Sequence, residues 1–167
     1  EAFFRLNKSR IIAIVQKQKA KYGNVTAPDP ELIEQLRAKA KAELPSRLKE
    51  LADRYGFTYN RVTIKHNSTN WGSCSARNNI NLNLNLMRLP QVLRDYVLLH
   101  ELCHLRHHDH GDAFHFLLEH LCTDHVLKLS ESGDLLAAEI ARQAALSRLR
   151  FPFDRIFSRE MKKCRLI

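Results

Sequence analysis

The chain has 167 residues, 44% of them hydrophobic, and a formal net charge of +9. This length supports one domain with a packed core and is short for two. Because the sequence contains no apolar run of about eighteen residues, it argues against a membrane-spanning helix, and we expect a soluble protein.

The first third of the chain has the start and stop signals of two helices. Residues 2–22 are expected to form a helix that Gly23 ends, followed by the linker NVTAP. A second helix is expected to begin at Asp29 as N-cap, with proline at its first position, and to end at Gly56. Pro45 is expected to kink or restart this helix. Its apolar positions keep helical spacing and are Ile33, Leu36, Ala40, Leu44, Leu48, Leu51, Ala52 and Tyr55.

From residue 59 the hydrophobic period changes to that of strands. The segments RVTIKH and NWGSCS are predicted to be strands, and the turn signal ARNN leads to the alternating segment INLNLNL. We therefore predict a small antiparallel sheet. Its last strand buries an apolar face and turns an asparagine face to solvent or to a cleft that could receive a substrate chain. The apolar face consists of Ile80, Leu82, Leu84 and Leu86. The asparagine face consists of Asn81, Asn83 and Asn85.

A proline then opens a helix that contains the sequence HELCH. The apolar stripe of Leu93 and Val97 continues into His100 and His104, so the two imidazoles lie one turn apart on the same helix face. Such a pair can bind one zinc ion at about 2.0–2.1 Å, and Glu101 is placed to act on a water molecule as general base. An accidental match to this HExxH pattern is expected only about 0.03 times in a chain of this composition.

A catalytic zinc site needs a third protein ligand and an open position. His110 is favoured because it stands six residues after His104, which leaves room for the helix to end and the chain to turn back. His115 is the main alternative. Asp109 or Asp112 could orient a ligand imidazole, although solvated acidic side chains are an equally good interpretation. The other candidates, which we expect to prolong this helix or to lie on the next one, are His107, His108, His120 and His125.

The WGSC element and the cysteine inside HELCH are interpreted as structural. Trp71 supplies packing volume, Gly72 permits a bulge or a close approach, and Cys74 is a small core residue. Cys103 has apolar neighbours on its helix and no cation placed to activate it. We therefore expect Cys103 in the core rather than as a nucleophile.

Three spaced motifs, NWGSCSARNNINLN, YVLLHELCHL and HDHGDAF, resemble the YgjP-like metallopeptidase family over about residues 30 to 125. The resemblance implies a minimal zincin-like α+β fold, related to SprT-like zinc peptidases, with N-terminal helices, a small antiparallel sheet and an HExxH helix. It also implies His100, His104 and His110 as ligands of one zinc ion, and Glu101 as general base.

The chain departs from the family pattern at two positions. Asn70 stands where many members have a basic residue before the tryptophan, and His115 stands where they have tryptophan. These differences concern substrate contacts more than the metal site.

The function expected from these residues is zinc-dependent peptide hydrolysis. Glu101 would accept a proton from the attacking water and return it to the leaving amine, while a polypeptide substrate lies along an edge of the NINLNLN sheet. One alternative is a metal-dependent nucleotide or phosphoester hydrolase, for which no second set of carboxylates is evident. The other is a zinc-stabilised nucleic-acid-associated binding module, against which the intact glutamate argues.

The remaining expectations concern organisation and partners. We predict an N-terminal helical extension over 1–28, a zincin-like metallopeptidase domain over 29–128, and a C-terminal helix with a basic tail over 129–167. The positive charge concentrates near the two ends, so nucleic acid is a possible partner, although a solvated basic surface is favoured. Four cysteines without a CxxC pair favour the cytoplasm. The sequence does not determine an oligomeric state.

Overall fold

Helices pack around a three-stranded sheet in the computed structural model, which describes residues 13, 16, 17 and 29–167. The helix expected over 2–22 and most of the extension expected over 1–28 lie outside the described residues. In the described part the α-helices are α1 (Pro30–Tyr55), α2 (Gln91–Cys103), α3 (Asp112–Glu131), α4 (Leu135–Ala145) and α5 (Pro152–Met161), and the strands are β1 (Arg61–Lys65), β2 (Gly72–Cys74) and β3 (Asn79–Asn83). The predicted α+β class is confirmed.

Helix α1 begins and ends where its sequence signals predict. The Asp29 side chain accepts a hydrogen bond from the Glu31 N–H at 3.0 Å, and Gly56 ends the helix with a φ of 72°. The left-handed region that Gly56 occupies is unfavourable for residues with a Cβ. Pro45 neither stops nor restarts the helix, which continues through it for 26 residues. Every apolar position predicted for this helix except Tyr55 is buried.

The sheet is mixed rather than antiparallel. Its order is β1-β3-β2, with β3 antiparallel to β2 and parallel to β1. The chain reverses direction between β1 and β2 and again at the turn before β3, so β1 and β3 run the same way. Since β3 lies between the other two strands, it is the centre of the sheet and not an edge.

The last predicted strand ends earlier than its alternating pattern indicates. After Asn83 the chain forms a 3₁₀ helix, Leu84–Arg88, which the Asn83 side chain caps by accepting a hydrogen bond from the Asn85 N–H. Asn83 also donates to the carbonyl oxygens of Asn67 and Asn70, and Asn85 bonds to the backbone of Ile167. Both side chains are buried. The prediction of an asparagine face open to solvent or a substrate cleft is therefore wrong at these two positions.

A buried ionic network joins the first three helices. Arg47 of α1 donates to both carboxylate oxygens of Asp95 on α2, at 3.1 and 2.7 Å. His125 of α3 contacts the same carboxylate at 2.8 Å and lies 3.3 Å from Arg54 on its other ring nitrogen. Asp95 has no exposed surface, so its charge depends on these partners. The network fixes α2 against the helices on either side.

The C-terminal helices pack against α3. Helix α3 continues through residue 128, and α4 and α5 contact α3 and each other. The division into 1–28, 29–128 and 129–167 stays a prediction. Within the described residues, no helix is long and apolar enough to cross a membrane.

Candidate active site

Helix α2 ends at the HExxH sequence. His100 and Glu101 lie in its last turn, and His104 is its C-cap. The expectation that His107 and His108 prolong the helix is wrong, because both lie in the loop that follows. Arg106 anchors this loop: it donates to the Gly56 carbonyl at 3.0 Å, and its guanidinium lies 4.3 Å from the centre of the Phe57 ring.

The loop returns His110 to the two helix histidines. His110 Nε2 lies 3.1 Å from His104 Nε2 and 3.2 Å from His100 Nε2. Ligand nitrogens at about 2.0–2.1 Å from a tetrahedral zinc are separated by about 3.3 Å. The two distances from His110 match this spacing, and the three donor nitrogens all lie within 4.8 Å of one another, so the group could hold a metal ion such as zinc.

The ring nitrogens are arranged for metal binding. His104 Nδ1 lies 3.0 Å from the His107 carbonyl oxygen, which favours a proton on Nδ1 and leaves Nε2 free as a ligand atom. Burial, and then the neighbouring imidazoles, lower the pKa of His100 to about 3, so its ring is neutral near pH 7. A neutral imidazole is the form that binds a metal.

The two acidic residues beside His110 have other partners. Asp109 accepts a hydrogen bond from the Gly111 N–H at 2.9 Å, and Asp112 pairs with Arg150 at 3.2 Å. The carboxylates thus shape the start of α3. The orienting contact on His104 is a backbone carbonyl, which a search for acidic side chains could not have found.

The Phe114 ring packs against the rings of all three histidines. Its ring is fully buried in the first turn of α3 and stacks on His104 with a centroid distance of 4.5 Å. It meets the rings of His100 and His110 edge-to-face, each at 4.9 Å. Sequence reasoning missed this role, although the aromatic residue four positions after His110 was a visible signal.

Glu101 lies against β2. Its carboxyl group is buried, and this burial raises its pKa to about 8. A Cβ placed on Gly72 would lie 2.8 Å from Glu101 Oε1 and 2.9 Å from its Cγ. The close approach expected at Gly72 is confirmed, and the group that needs it is the candidate general base.

The model of the YgjP-like metallopeptidase domain matches residues 4–129. The chain belongs to the YgjP-like family. The match places it among metal-dependent peptidases and confirms the resemblance in the motifs. No curated protein matches this YgjP-like chain. The solved structures include a match to the metallopeptidase zymogen of Pyrococcus abyssi abylysin, at 20% identity and a TM-score of 0.41, over 52% of this chain and 94% of that one.

A cleft of about 400 Å³ opens beside His100 and Glu101 of this YgjP-like chain. One wall comes from the loop before β2, including Trp71, and another from Tyr96 and Val97 on α2. Helix α5 closes the third side with Ser158, Met161 and Lys162. The YgjP-like match ends before α5, and nothing in the HExxH motif indicates that this helix reaches the site.

The other sequence candidates lie outside the group of three histidines. His115 Nδ1 is 3.0 Å from Asp154 Oδ2, close enough for an ion pair although not aligned as a hydrogen bond. His125 belongs to the buried network, and His120 is exposed. Cys103 is buried, which raises the pKa of its thiol to about 12 and suits the core position expected for it.

Proposed function

We propose that the chain is a zinc-dependent metallopeptidase in which His100, His104 and His110 hold one zinc ion and Glu101 is the general base. The observation that carries this proposal is the convergence of His110 Nε2 on the Nε2 atoms of His104 and His100, at 3.1 and 3.2 Å, beside a buried carboxyl group. Nitrogen donors favour zinc over magnesium or calcium, which prefer oxygen.

When bound, zinc supplies a Lewis acid that lowers the pKa of water towards 7 and polarises a carbonyl group. The chain supplies the proton transfers. Glu101 takes a proton from the attacking water and delivers it to the nitrogen of the leaving amine, which completes hydrolysis of the peptide bond. Its burial favours acceptance of the proton from water, because the neutral carboxylic acid is the form that burial stabilises.

The substrate is proposed to be an extended polypeptide that lies along β2. The sequence predicts a peptide along an edge of the NINLNLN sheet, and since β3 is the central strand, the edges are β1 and β2. Trp71 O and Ser75 N bond to β3, so by strand alternation the backbone groups of Gly72 and Cys74 point to the other edge. This edge borders the cleft and can add a peptide strand through main-chain hydrogen bonds.

The alternatives have less support. A phosphoester hydrolase with two metals needs further carboxylates, whereas Asp109 and Asp112 are engaged elsewhere. A nucleic-acid-associated module with structural zinc has no use for Glu101 beside the histidines. Nucleic-acid binding through the basic surface and a cytoplasmic location stay predictions.

The first test is zinc content by elemental analysis, with wild type, His110→Ala, Glu101→Gln and His120→Ala purified side by side. We expect about one zinc per chain in every protein except His110→Ala, which should lose most of it. The exposed His120 is the matched control for removal of an imidazole.

Activity on quenched fluorescent peptides completes this test. Wild type and His120→Ala should cleave them, and Glu101→Gln should be inactive with its zinc retained. If wild type binds no zinc when zinc is supplied, the metal site is refuted. If it holds zinc but hydrolyses a phosphoester and no peptide, the alternative hydrolase is correct.

A further inference from the structure

A second depression of about 520 Å³ lies on the C-terminal helices, outside the metal site. Its walls come from the end of α4, the segment that follows it, and one face of α5. We call this depression the basic groove, because Arg155, Arg159 and Lys162 line it and no acidic residue does.

The charge in the basic groove is not neutralised from within. Among residues 29–167, neither Arg155 nor Lys162 pairs with a carboxylate, and both are exposed. Arg159 is partly engaged, since it donates to Gln143 at 2.9 Å and to the buried Glu160 at 3.1 Å. Two unpaired cations on one helix face attract an anionic ligand.

The basic groove and the active-site cleft meet. Ser158 and Lys162 line both of them, so Lys162 stands at the boundary between the cleft beside Glu101 and the groove. A chain that leaves the cleft past Ser158 and Lys162 enters the groove that Arg155 lines. The groove is therefore placed to contact a substrate at a distance from the bond being cleaved.

We propose that the basic groove recognises an acidic segment of the peptide substrate, through Arg155 and Lys162. This inference rests on the proposed peptidase function and adds the substrate class. A peptide is favoured over a phosphodiester chain because Leu146 and Leu149, both 56% exposed, line the same groove. They offer apolar contacts that suit side chains next to an acidic run.

The N-terminal part of this chain is not complementary in charge to the basic groove. Residues 1–28 contain six lysines and arginines and one acidic residue, so their charge has the same sign as the groove. A separate acidic peptide has the opposite sign, and charge complementarity selects it.

Binding and hydrolysis must be measured separately to test this. The binding probe is a fluorescent peptide that has a run of glutamates beside an apolar stretch, and its counterpart has glutamine in place of each glutamate. Fluorescence anisotropy is measured on zinc-loaded Glu101→Gln, so that hydrolysis does not consume the probe. Hydrolysis of the same two sequences is measured on the protein with Glu101 intact.

The variant pair is matched for charge. Arg155→Gln/Lys162→Gln removes two charges from the groove, and Lys39→Gln/Lys41→Gln removes two from exposed positions on α1 outside it. We expect the groove variant to weaken binding of the glutamate peptide about fivefold, as two exposed ion pairs allow. The control variant should leave that binding unchanged. The glutamine peptide should bind both proteins alike.

Each outcome is decisive. Equal affinity of the glutamate and glutamine peptides, or an equal loss in both double variants, overturns the groove proposal even where peptides are hydrolysed. A charge-dependent preference without hydrolysis of any peptide supports the groove and refutes the peptidase function. If a single-stranded oligonucleotide binds more tightly than the glutamate peptide and displaces it, the groove is a nucleic-acid site and the proposal fails.

Discussion

Replacing Gly72 with alanine tests whether the position of the Glu101 carboxyl group controls the reaction. The new Cβ would lie 2.8 Å from Oε1, 2.9 Å from Cγ and 3.1 Å from Cδ of Glu101. Gly72 does not have a positive φ, so its backbone conformation is open to alanine. The substitution is therefore expected to act through the contact between the new Cβ and Glu101, and not through backbone strain.

The size of the effect follows from these distances. Carbon atoms in contact are about 3.5–4.0 Å apart, so the carboxyl group must move by roughly 0.5–1 Å or the strand must shift. A displacement of about 1 Å in a reacting group costs about 100-fold in rate. The three atoms nearest to the new methyl group all belong to Glu101, and zinc binding should be retained.

The assay is hydrolysis of a quenched fluorescent peptide, with zinc content and melting temperature measured on the same preparation. Ser73→Ala is the control, because it changes the neighbouring residue of β2, whose hydroxyl accepts a hydrogen bond from Asn81 and faces away from Glu101. Gly72→Ala with zinc bound and wild-type activity would refute the close-approach argument. Loss of zinc would show that the damage reached the metal site.

Three other substitutions test separate parts of the structure. The raised pKa of Glu101 stabilises the metal-free wild type below pH 4.5, and this stability is lost as the pH rises to 8. Glu101→Gln does not have this loss, so its free energy of unfolding should gain on that of wild type by up to about 1.4 kcal/mol per pH unit between pH 4.5 and 8. Melting curves at pH 5 and 9 check this. Asp95→Ala should cost about 3–5 kcal/mol in urea unfolding, since Arg47 and His125 lose their shared carboxylate. Phe114→Leu should weaken zinc affinity about tenfold, measured by chelator competition.

The parts of the site that the sequence predicts best are local. His100 and His104 are one helical turn apart whatever surrounds them. The prediction of His110 as the third ligand rests on spacing that leaves room for a turn, and the loop brings its Nε2 within 3.2 Å of those of the two helix histidines. The ends of helix α1 were equally predictable from the sequence, because Asp29 and Gly56 determine them through contacts within a few residues. Local spacing and local capping need no knowledge of the rest of the chain.

The wrong predictions depend on residues far apart in the sequence. The alternation of INLNLNL indicates a strand to residue 86, but Asn83 is held by carbonyl groups 13 and 16 residues away, and Asn85 by Ile167, 82 residues away. Those partners bury the asparagines and convert the strand into a 3₁₀ helix. A period-two pattern cannot distinguish a polar face in water from one satisfied by distant backbone.

Contacts between residues far apart in the sequence also explain why α5 forms one wall of the cleft. The two carboxylate oxygens of Glu119, on α3, accept the first free backbone N–H groups of α5, those of Phe153 and Asp154, at 2.9 and 3.0 Å. Asp154 in turn accepts a hydrogen bond from Tyr96, one helical turn before His100. Because α3 starts directly after His110, the loop that closes the metal site and the helix that shapes the cleft are fixed to the same element. The residues proposed to carry out the chemistry are therefore visible in a short motif. The residues proposed to select the substrate become visible only when the chain is folded.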